Sequence, residues 1–499
     1  MRDSGPASGA LRTALALAFV LAAPSAAAQR PPAGKPKPKP VAVEEPAAEE
    51  HEAPREVIVV VAGGLTAEQV ARRASSTSLG GRAAEANVTA LASREETASL
   101  GYAPRLLLTA SYTRLSNFTS VSAFGANKLV VTQDATGTAN PQTVAGISPQ
   151  LNTVILNQYV LSAQLTVPLS DYVFRTKHSV AAAELATQAA GFDVSTARAS
   201  SYLNGKTAYY NWVRTRGAVV VAELAVAVSE AQLKDAKTLF EGGNVTSADV
   251  LRAETAVAAA QQVVARAQAD ATNLDWHIRN VIHAPDEEVL VPGEPLDGPL
   301  SPAPEDLKSL IAEGIAQRPE SRGYAKSAEV ERKLAAVARA GKYPSLNAVG
   351  DVTYANPNYR KFPVQTEFFP SWTAGAVLTW SPNDYVLAGH AANDAFARAA
   401  ALEAQAQAAR DIVLKEVVEA YTSMRAADAA VESTSRQLES ALGGYKVARQ
   451  LYIGGRNTAT ALLDASTALT QARFAHLNAR ADARIARAQL DNATGRTTR

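Results

Sequence analysis

The stretch Leu239-Phe-Glu-Gly-Gly-Asn-Val-Thr-Ser-Ala-Asp-Val-Leu251 interrupts a long Ala-rich helical pattern, and it returns, altered, as Leu451-Tyr-Ile-Gly-Gly-Arg-Asn-Thr-Ala-Thr-Ala-Leu-Leu463, 212 positions later. Tyr209 returns as Tyr421 and Ala253 as Ala465 at the same offset, and Pro168-Leu-Ser-Asp-Tyr-Val173 has its counterpart in Trp380-Ser-Pro-Asn-Asp-Tyr-Val386. Upstream, Gly101-Tyr-Ala-Pro-Arg-Leu106 matches Gly341-Lys-Tyr-Pro-Ser-Leu346 at an offset of 240, so the first copy carries a longer insert between these motifs. Internal repetition on this scale decides the architecture before any single element does. The chain is one plan written twice.

Each copy has four parts in the same order. A helical run of roughly 37 residues opens it (65–100 and 305–342), followed by a β-patterned hairpin (104–169 and 344–381). A very long helical run comes next (172–241 and 385–453), and a last helix follows the Gly pair (246–283 and 458–495). The first repeat spans 57–284 with its tip at 242–245, the second 305–499 with its tip at 454–457, and 285–304 joins them. Seventy helical residues make a rod of about 105 Å. The opening and closing helices of one copy together come to nearly that length. The economical packing is antiparallel, one long helix facing two shorter ones stacked end to end, with Gly242-Gly243-Asn244 and Gly454-Gly455 as hairpin tips. A reversal needs positive φ, which only Gly supplies without strain. Thr246 and Ser247 suit the cap of the returning helix, and Asp249 sits in its first turn, near the positive end of the dipole.

Small residues in runs such as Ala399-Ala-Ala-Leu-Glu-Ala-Gln-Ala-Gln-Ala-Ala409 let helices approach closely, with thin apolar seams on two sides. One hairpin alone leaves a seam bare. The strands make the same demand. Leu161, Ala163, Leu165 and Val167 alternate with Ser162, Gln164 and Thr166; Trp372, Ala374, Ala376, Leu378 and Trp380 alternate with Thr373, Gly375, Val377 and Thr379. About nine residues, one apolar and one polar face, and Trp372 and Trp380 near the ends fit tilted strands crossing a bilayer around a wet interior, with the two Trp in an aromatic belt. Four strands cannot close on themselves, and a membrane sheet cannot leave edges open. The sheet must be shared between subunits.

The chain's beginning fits export. Arg2 and Arg12 precede the apolar run 14–23, with small residues after it and cleavage placed after Ala28. That makes 1–28 a signal peptide, whose apolar run of about ten residues is too short to span a bilayer as a helix, and the Pro- and charge-rich 29–56 a flexible linker. A net charge of +1 argues against a nucleic-acid partner, and the absence of Cys excludes disulfides and thiol chemistry. The six His are scattered, no phosphate loop or nucleophile elbow is present, and the Glu287-Glu288 pair reads as solvated. No metal site, cofactor or enzymatic activity is expected.

Twofold repetition, a hairpin in each half and Gly-rich reversals followed by Ala-Asp-Val-Leu and Leu-Leu-Asp-Ala resemble the TolC-type outer-membrane efflux proteins. The resemblance also rests on Ala316-Gln-Arg-Pro-Glu320 and runs from about Leu65 to Gly495. It implies a mainly α chain with a membrane β-barrel, assembled as a homotrimer: a 12-stranded barrel among outer-membrane lipid, continued by a coiled-coil tunnel through the periplasm. It implies passive export in a tripartite efflux or type I secretion system, with the tips docking a periplasmic adaptor and through it an inner-membrane pump. By the same resemblance Asp249 and Tyr452 match members of a latch that closes the periplasmic end. The latch's Arg position falls on Asn457, with Arg456 one residue before it. Asp464 matches one of two acidic positions at the inner constriction, and Ala461 occupies the other. Two rival readings are a periplasmic adaptor, which carries a single helical hairpin, and a secreted helical pore-former or structural protein, which needs no alternating strands.

Overall fold

The structure, a computed structural model, describes residues 63–117 and 155–498 apart from 303, 305 and 363, all within one compact unit, Pro54–Arg499. The expected signal peptide, the linker and the 118–154 part of the first hairpin lie outside the described residues.

The first repeat contains α1 (Ala67–Thr77), α2 (Leu79–Ser99), β1 (Arg105–Arg114) and β2 (Asn157–Pro168). A π turn, Tyr172–Thr176, leads into α3 (Lys177–Glu241), and α4 (Ser247–Ile282) returns. The second repeat contains α5 (Leu307–Gln317), α6 (Pro319–Ala340), β3 (Ser345–Asn356), β4 (Phe369–Thr379), α7 (Pro382–Ile453) and α8 (Ala459–Ala493). At 72 residues, α7 is about 108 Å long.

Each opening run is two helices rather than one, which corrects the sequence expectation. Ser78 ends α1 in an extended conformation and caps α2, its Oγ accepting the Gly81 amide at 3.1 Å. In the second repeat Arg318 is extended (φ −61°, ψ 127°), as the residue before a proline must be, and Pro319 starts α6 at its first position. Both breaks fall after an 11-residue helix although the two sequences signal them differently.

The four strands form one antiparallel sheet in the order β1-β2-β3-β4, so the two repeats meet at β2 and β3. Below the sheet, α3 packs against α1 and α2 on one side and α6 on the other; nearer the tips its neighbours are α4 and α8. It therefore has helices on both flanks, and its buried positions run from Ala182 to Ala236. The long helix α7 packs against α5, α6 and α8, and buries a stripe including Ala388, Ala392, Ala395, Ala399, Ala406, Ala409 and Val413. On the opposite margin α2 buries only Gly81, and α4 only Ala253, Ile278 and Ile282. The opening and closing helices of each copy do lie along its long helix, but with the opening run split they are three shorter helices rather than two.

The largest core lies where the helical partners of α3 change. Val70, Tyr209, Trp212, Val213, Ile278, Ile282 and Leu477 meet there with Leu290 and Leu296 of the inter-repeat segment. Burying each such large side chain is worth about 1.5–3 kcal/mol.

Candidate functional site

The tips are built alike. After α3, the Gly243 amide donates to Phe240 O (2.9 Å) and the Asn244 amide to Leu239 O (2.9 Å), with Gly243 at φ 73°. After α7, the Gly455 amide donates to Tyr452 O (3.0 Å) and the Arg456 amide to Leu451 O (2.8 Å), with Gly455 at φ 67°. Both are Schellman endings, in which the left-handed residue lets two amides satisfy carbonyls the helix leaves open. Gly242 and Gly454 cap the two helices just before them. Gly455→Ala should cost about 1–2 kcal/mol, because no neighbour lies within 4 Å of the added methyl and only the backbone objects. Faster cleavage at this tip by a limiting protease checks it.

Asp249 closes a capping box with Thr246: its Oδ2 accepts the Thr246 amide (3.1 Å) and hydroxyl (2.8 Å), while Oδ1 takes Arg252 Nη1 at 3.0 Å. The Thr246 bonds hold its carboxyl below the usual aspartate value. A lowered folded-state pKa means that this stabilisation is complete above the unfolded value of about 4 and is lost only as pH falls through the folded one. Asp249 is thus no sensor near neutrality. Tyr452 is buried with Ala448 and Leu462 against Leu239 and Val245. Burial first, and then the nearby Asp249 charge, raises its pKa, yet its hydroxyl has no hydrogen-bond partner. Asn457 Oδ1 accepts the Thr458 amide at 2.9 Å, and Arg456 is exposed. Within one chain the tip gathers Asp249 and Tyr452 but joins them by no hydrogen bond. Asp464 lies exposed on the second turn of α8, close to Ala461.

At the other end, the strand register sorts the sheet into two faces. Leu108, Ala163 and Val352 align with Trp372, and Leu106, Leu165 and Gly350 with Ala374. On the reverse, Thr109, Ser162 and Thr353 align with Ser371, and Leu107, Gln164 and Asp351 with Thr373. Trp372 is 73% exposed on the apolar face; Trp380, beyond the last strand residue, donates Nε1 to Lys342 O at 3.4 Å. Aromatic side chains bound the sheet at both ends. Tyr112–Tyr159 (5.0 Å) and Tyr354–Phe368 (5.1 Å) lie at the hairpin end, Tyr102–Tyr172 (6.0 Å) and Phe174–Tyr343 (5.0 Å) at the helical end. Of the two Trp that the sequence offers, Trp372 is level with Ala163 near mid-strand and only Trp380 lies at an end; the Tyr and Phe needed the register to be recognised as bands.

A second feature escaped the sequence. Arg480, Arg484 and Arg487 on α8 grip residues 294–301. Arg484 bonds Glu294 Oε1 (2.8 Å) and the carbonyls of Pro295 (3.1 Å), Leu296 (3.2 Å) and Gly298 (3.1 Å), Arg480 pairs with Asp297 (3.3 Å), and Arg487 reaches Ser301 O (2.9 Å) and Asp428 (2.7 Å). Glu288 is not merely solvated: both its oxygens bind Arg73, at 2.7 and 2.9 Å, which lowers its pKa. Among the described residues no group of His, Asp and Glu is placed to hold a metal.

These features define a class of protein first: one segment of a wall, with a two-faced sheet continued by very long helices and margins left open on the same two sides. Residues 310–496 match the family described as "Outer membrane efflux protein". The fold over most of the chain is shared with solved outer-membrane proteins. CusC has 14% identity and a TM-score of 0.71, covering 89% of this chain and 97% of its own. The outer-membrane channel OprN has 18% identity and a TM-score of 0.69, covering 86% and 89%. The open-state MtrE outer membrane channel of Neisseria gonorrhoeae has 18% identity and a TM-score of 0.65, covering 86% and 88%. No curated protein matches by sequence. Among the described residues no helix is long and apolar enough to cross a membrane; the two-faced sheet is the element suited to one.

Proposed function

We propose that three copies close edge to edge into the exit duct of a tripartite efflux or type I secretion system, a 12-stranded barrel in the outer membrane continued by a helical tunnel across the periplasm. The observation that carries this is the coincidence of margins. The sheet ends at β1 and β4, and the helical layers beneath it end at α2 and α4 on the β1 side and at α7 on the β4 side. Exposed apolar side chains cluster there: Leu251, Val263 and Trp276 on α4, Phe396, Ile412 and Val447 on α7. Joining one margin to the other satisfies strand edges and helix seams in a single operation. A four-stranded sheet reaches a closed barrel of ordinary size with three copies.

In this reading 1–28 directs export and 29–56 is a spacer. The tips, Gly242-Gly243-Asn244 and Gly454-Gly455, face the periplasm and meet an adaptor, which connects the duct to an inner-membrane pump. Asp249, Tyr452, Arg456 and Asn457 form the lower rim, with Tyr452 packed inside its own subunit between the two tips. Three exposed Asp464 carboxylates form a ring at the constriction and favour cations. Transport is passive and powered by the pump.

Purified protein should migrate as a heat-dissociable trimer from the outer-membrane fraction and form pores in planar bilayers. A detergent-independent soluble monomer would overturn the proposal. In the pores, Asp464→Asn should weaken block by multivalent cations, and unchanged block removes Asp464 from the constriction.

A further inference from the structure

The connection from β3 to β4 does not project away from the sheet. It turns onto the polar face. Asn358, only 5% exposed, donates Nδ2 to Phe369 O (2.8 Å) and to Ser371 Oγ (3.0 Å), and its Oδ1 accepts the Arg360 amide (2.9 Å). Ser371 belongs to the polar row with Thr353 and Ser162. Lys361 Nζ stands 5.2 Å from the centre of the Phe369 ring, a residue of that same face, and the Tyr359 hydroxyl accepts from Gln158 Nε2 on β2. The loop thus leaves its own hairpin and reaches the neighbouring one, on the side that encloses the lumen in the reading above.

What the loop holds over that face is unusual for a solvent-facing turn. Tyr359 is 65% and Phe362 75% exposed. Lys361 is paired with Glu367 at 3.5 Å, whereas the Arg360 guanidinium donates to the Trp372 carbonyl (2.9 Å) and has no carboxylate partner among the described residues. Each subunit therefore brings two bare aromatic rings and one uncompensated positive charge to one end of the lumen.

Resting on the channel reading, we propose that residues 357–362 of the three subunits form an inward-folded collar at the outer mouth, which narrows the exit through Tyr359 and Phe362 and, through Arg360, favours anionic over cationic solutes. Buried Asn358 fixes the fold of the collar, and the Gln158–Tyr359 contact ties it across the sheet. A ring of like charges at a narrow, low-dielectric mouth concentrates ions of the opposite sign.

The chain has no Cys, so one introduced thiol reports alone. Ser162→Cys places it on the polar face below the collar. Intact cells are treated from outside with impermeant thiol reagents: a small anionic and a small cationic one of matched size, and a bulky polymer-linked maleimide. The small anionic reagent should label at least about tenfold faster than its cationic counterpart, and the bulky reagent should label hardly at all. Adding Arg360→Glu should reverse the charge preference. Adding Tyr359→Ala with Phe362→Ala should admit the bulky reagent. Equal rates for all three reagents, unchanged by these substitutions, overturn the collar while leaving the channel intact. A thiol at 162 that even the small reagents never reach, in the collar variants too, overturns the water-filled lumen and the collar with it.

Discussion

Arg484→Ala should lower stability by about 2–4 kcal/mol and release the inter-repeat segment to proteases. The side chain is 11% exposed and crosses from α8 to three successive carbonyl-bearing stretches of a segment that forms little regular structure of its own. Removing it leaves Glu294 without its guanidinium, the carbonyls of Leu296 and Gly298 without their donor, and that of Pro295 with only the Gly298 amide at 3.4 Å. The figure stays below that of a fully buried pair, because Glu294 keeps contact with water at 29% exposure. Leu290 and Leu296 are also at stake, since the same segment plugs the core formed by Tyr209, Trp212 and Ile278. Arg484→Lys keeps the charge but offers no planar fork, so it should recover only a minor part. Limited proteolysis mapped by mass spectrometry, together with the temperature at which oligomers dissociate, provides the check. New cleavage within 294–301 is the expected signature. An unchanged digest and melting temperature for the Ala variant would show that apolar packing alone holds the segment.

What the sequence disclosed and what it hid follow from the range of the forces involved. The duplicated Gly-Gly reversals were legible because a left-handed turn at the end of a long helix leaves a short, local residue requirement, satisfied at Gly243 and Gly455 alike. The strand faces were legible because period-two alternation is also local: the pattern at 161–167 survives unchanged in the register that sets Ala163 against Leu108 and Val352. The break at Arg318 carries a local signal in Pro319, which disfavours helical geometry at the residue before it. The break at Ser78 carries a local signal too, since Ser75-Ser-Thr-Ser78 followed by Gly80-Gly81 is a cluster of cap and turn formers. The arginines of α8, by contrast, stayed hidden. On paper Arg480, Arg484 and Arg487 resemble any solvated helix face, and their partners lie about 185 positions upstream in a Pro-rich stretch that reads as a linker. The collar was equally out of reach, because Asn358 and Tyr359 acquire meaning only when the loop is seen to fold onto Ser371 and Gln158. For the tip, the sequence named the right neighbourhood; the structure shows Asp249 engaged within its own helical turn and Tyr452 with its hydroxyl still unpaired.

Two adjacent substitutions decide which face of the sheet meets lipid. Ala163 is flanked by Leu108 and Val352 on the apolar face, while Ser162 beside it is flanked by Thr109 and Thr353 on the polar one. Arg at position 163 would point a guanidinium into hydrocarbon near mid-strand, at a cost of about 2–4 kcal/mol in every subunit. In the proposed trimer three subunits share one barrel and multiply that cost, so Ala163→Arg should abolish the heat-stable oligomer in the outer-membrane fraction. Ser162→Arg introduces the same side chain, with the same strand propensity, one residue away, where it meets water in the proposed lumen. It should assemble normally and alter pore conductance and ion preference instead. Because the two variants differ only in the direction the pleat gives them, a general defect in folding or export cannot produce opposite results. Loss of assembly in Ser162→Arg with tolerance of Ala163→Arg would turn the sheet inside out and remove the basis for a polar lumen. Loss in neither would mean that no face of this sheet contacts lipid.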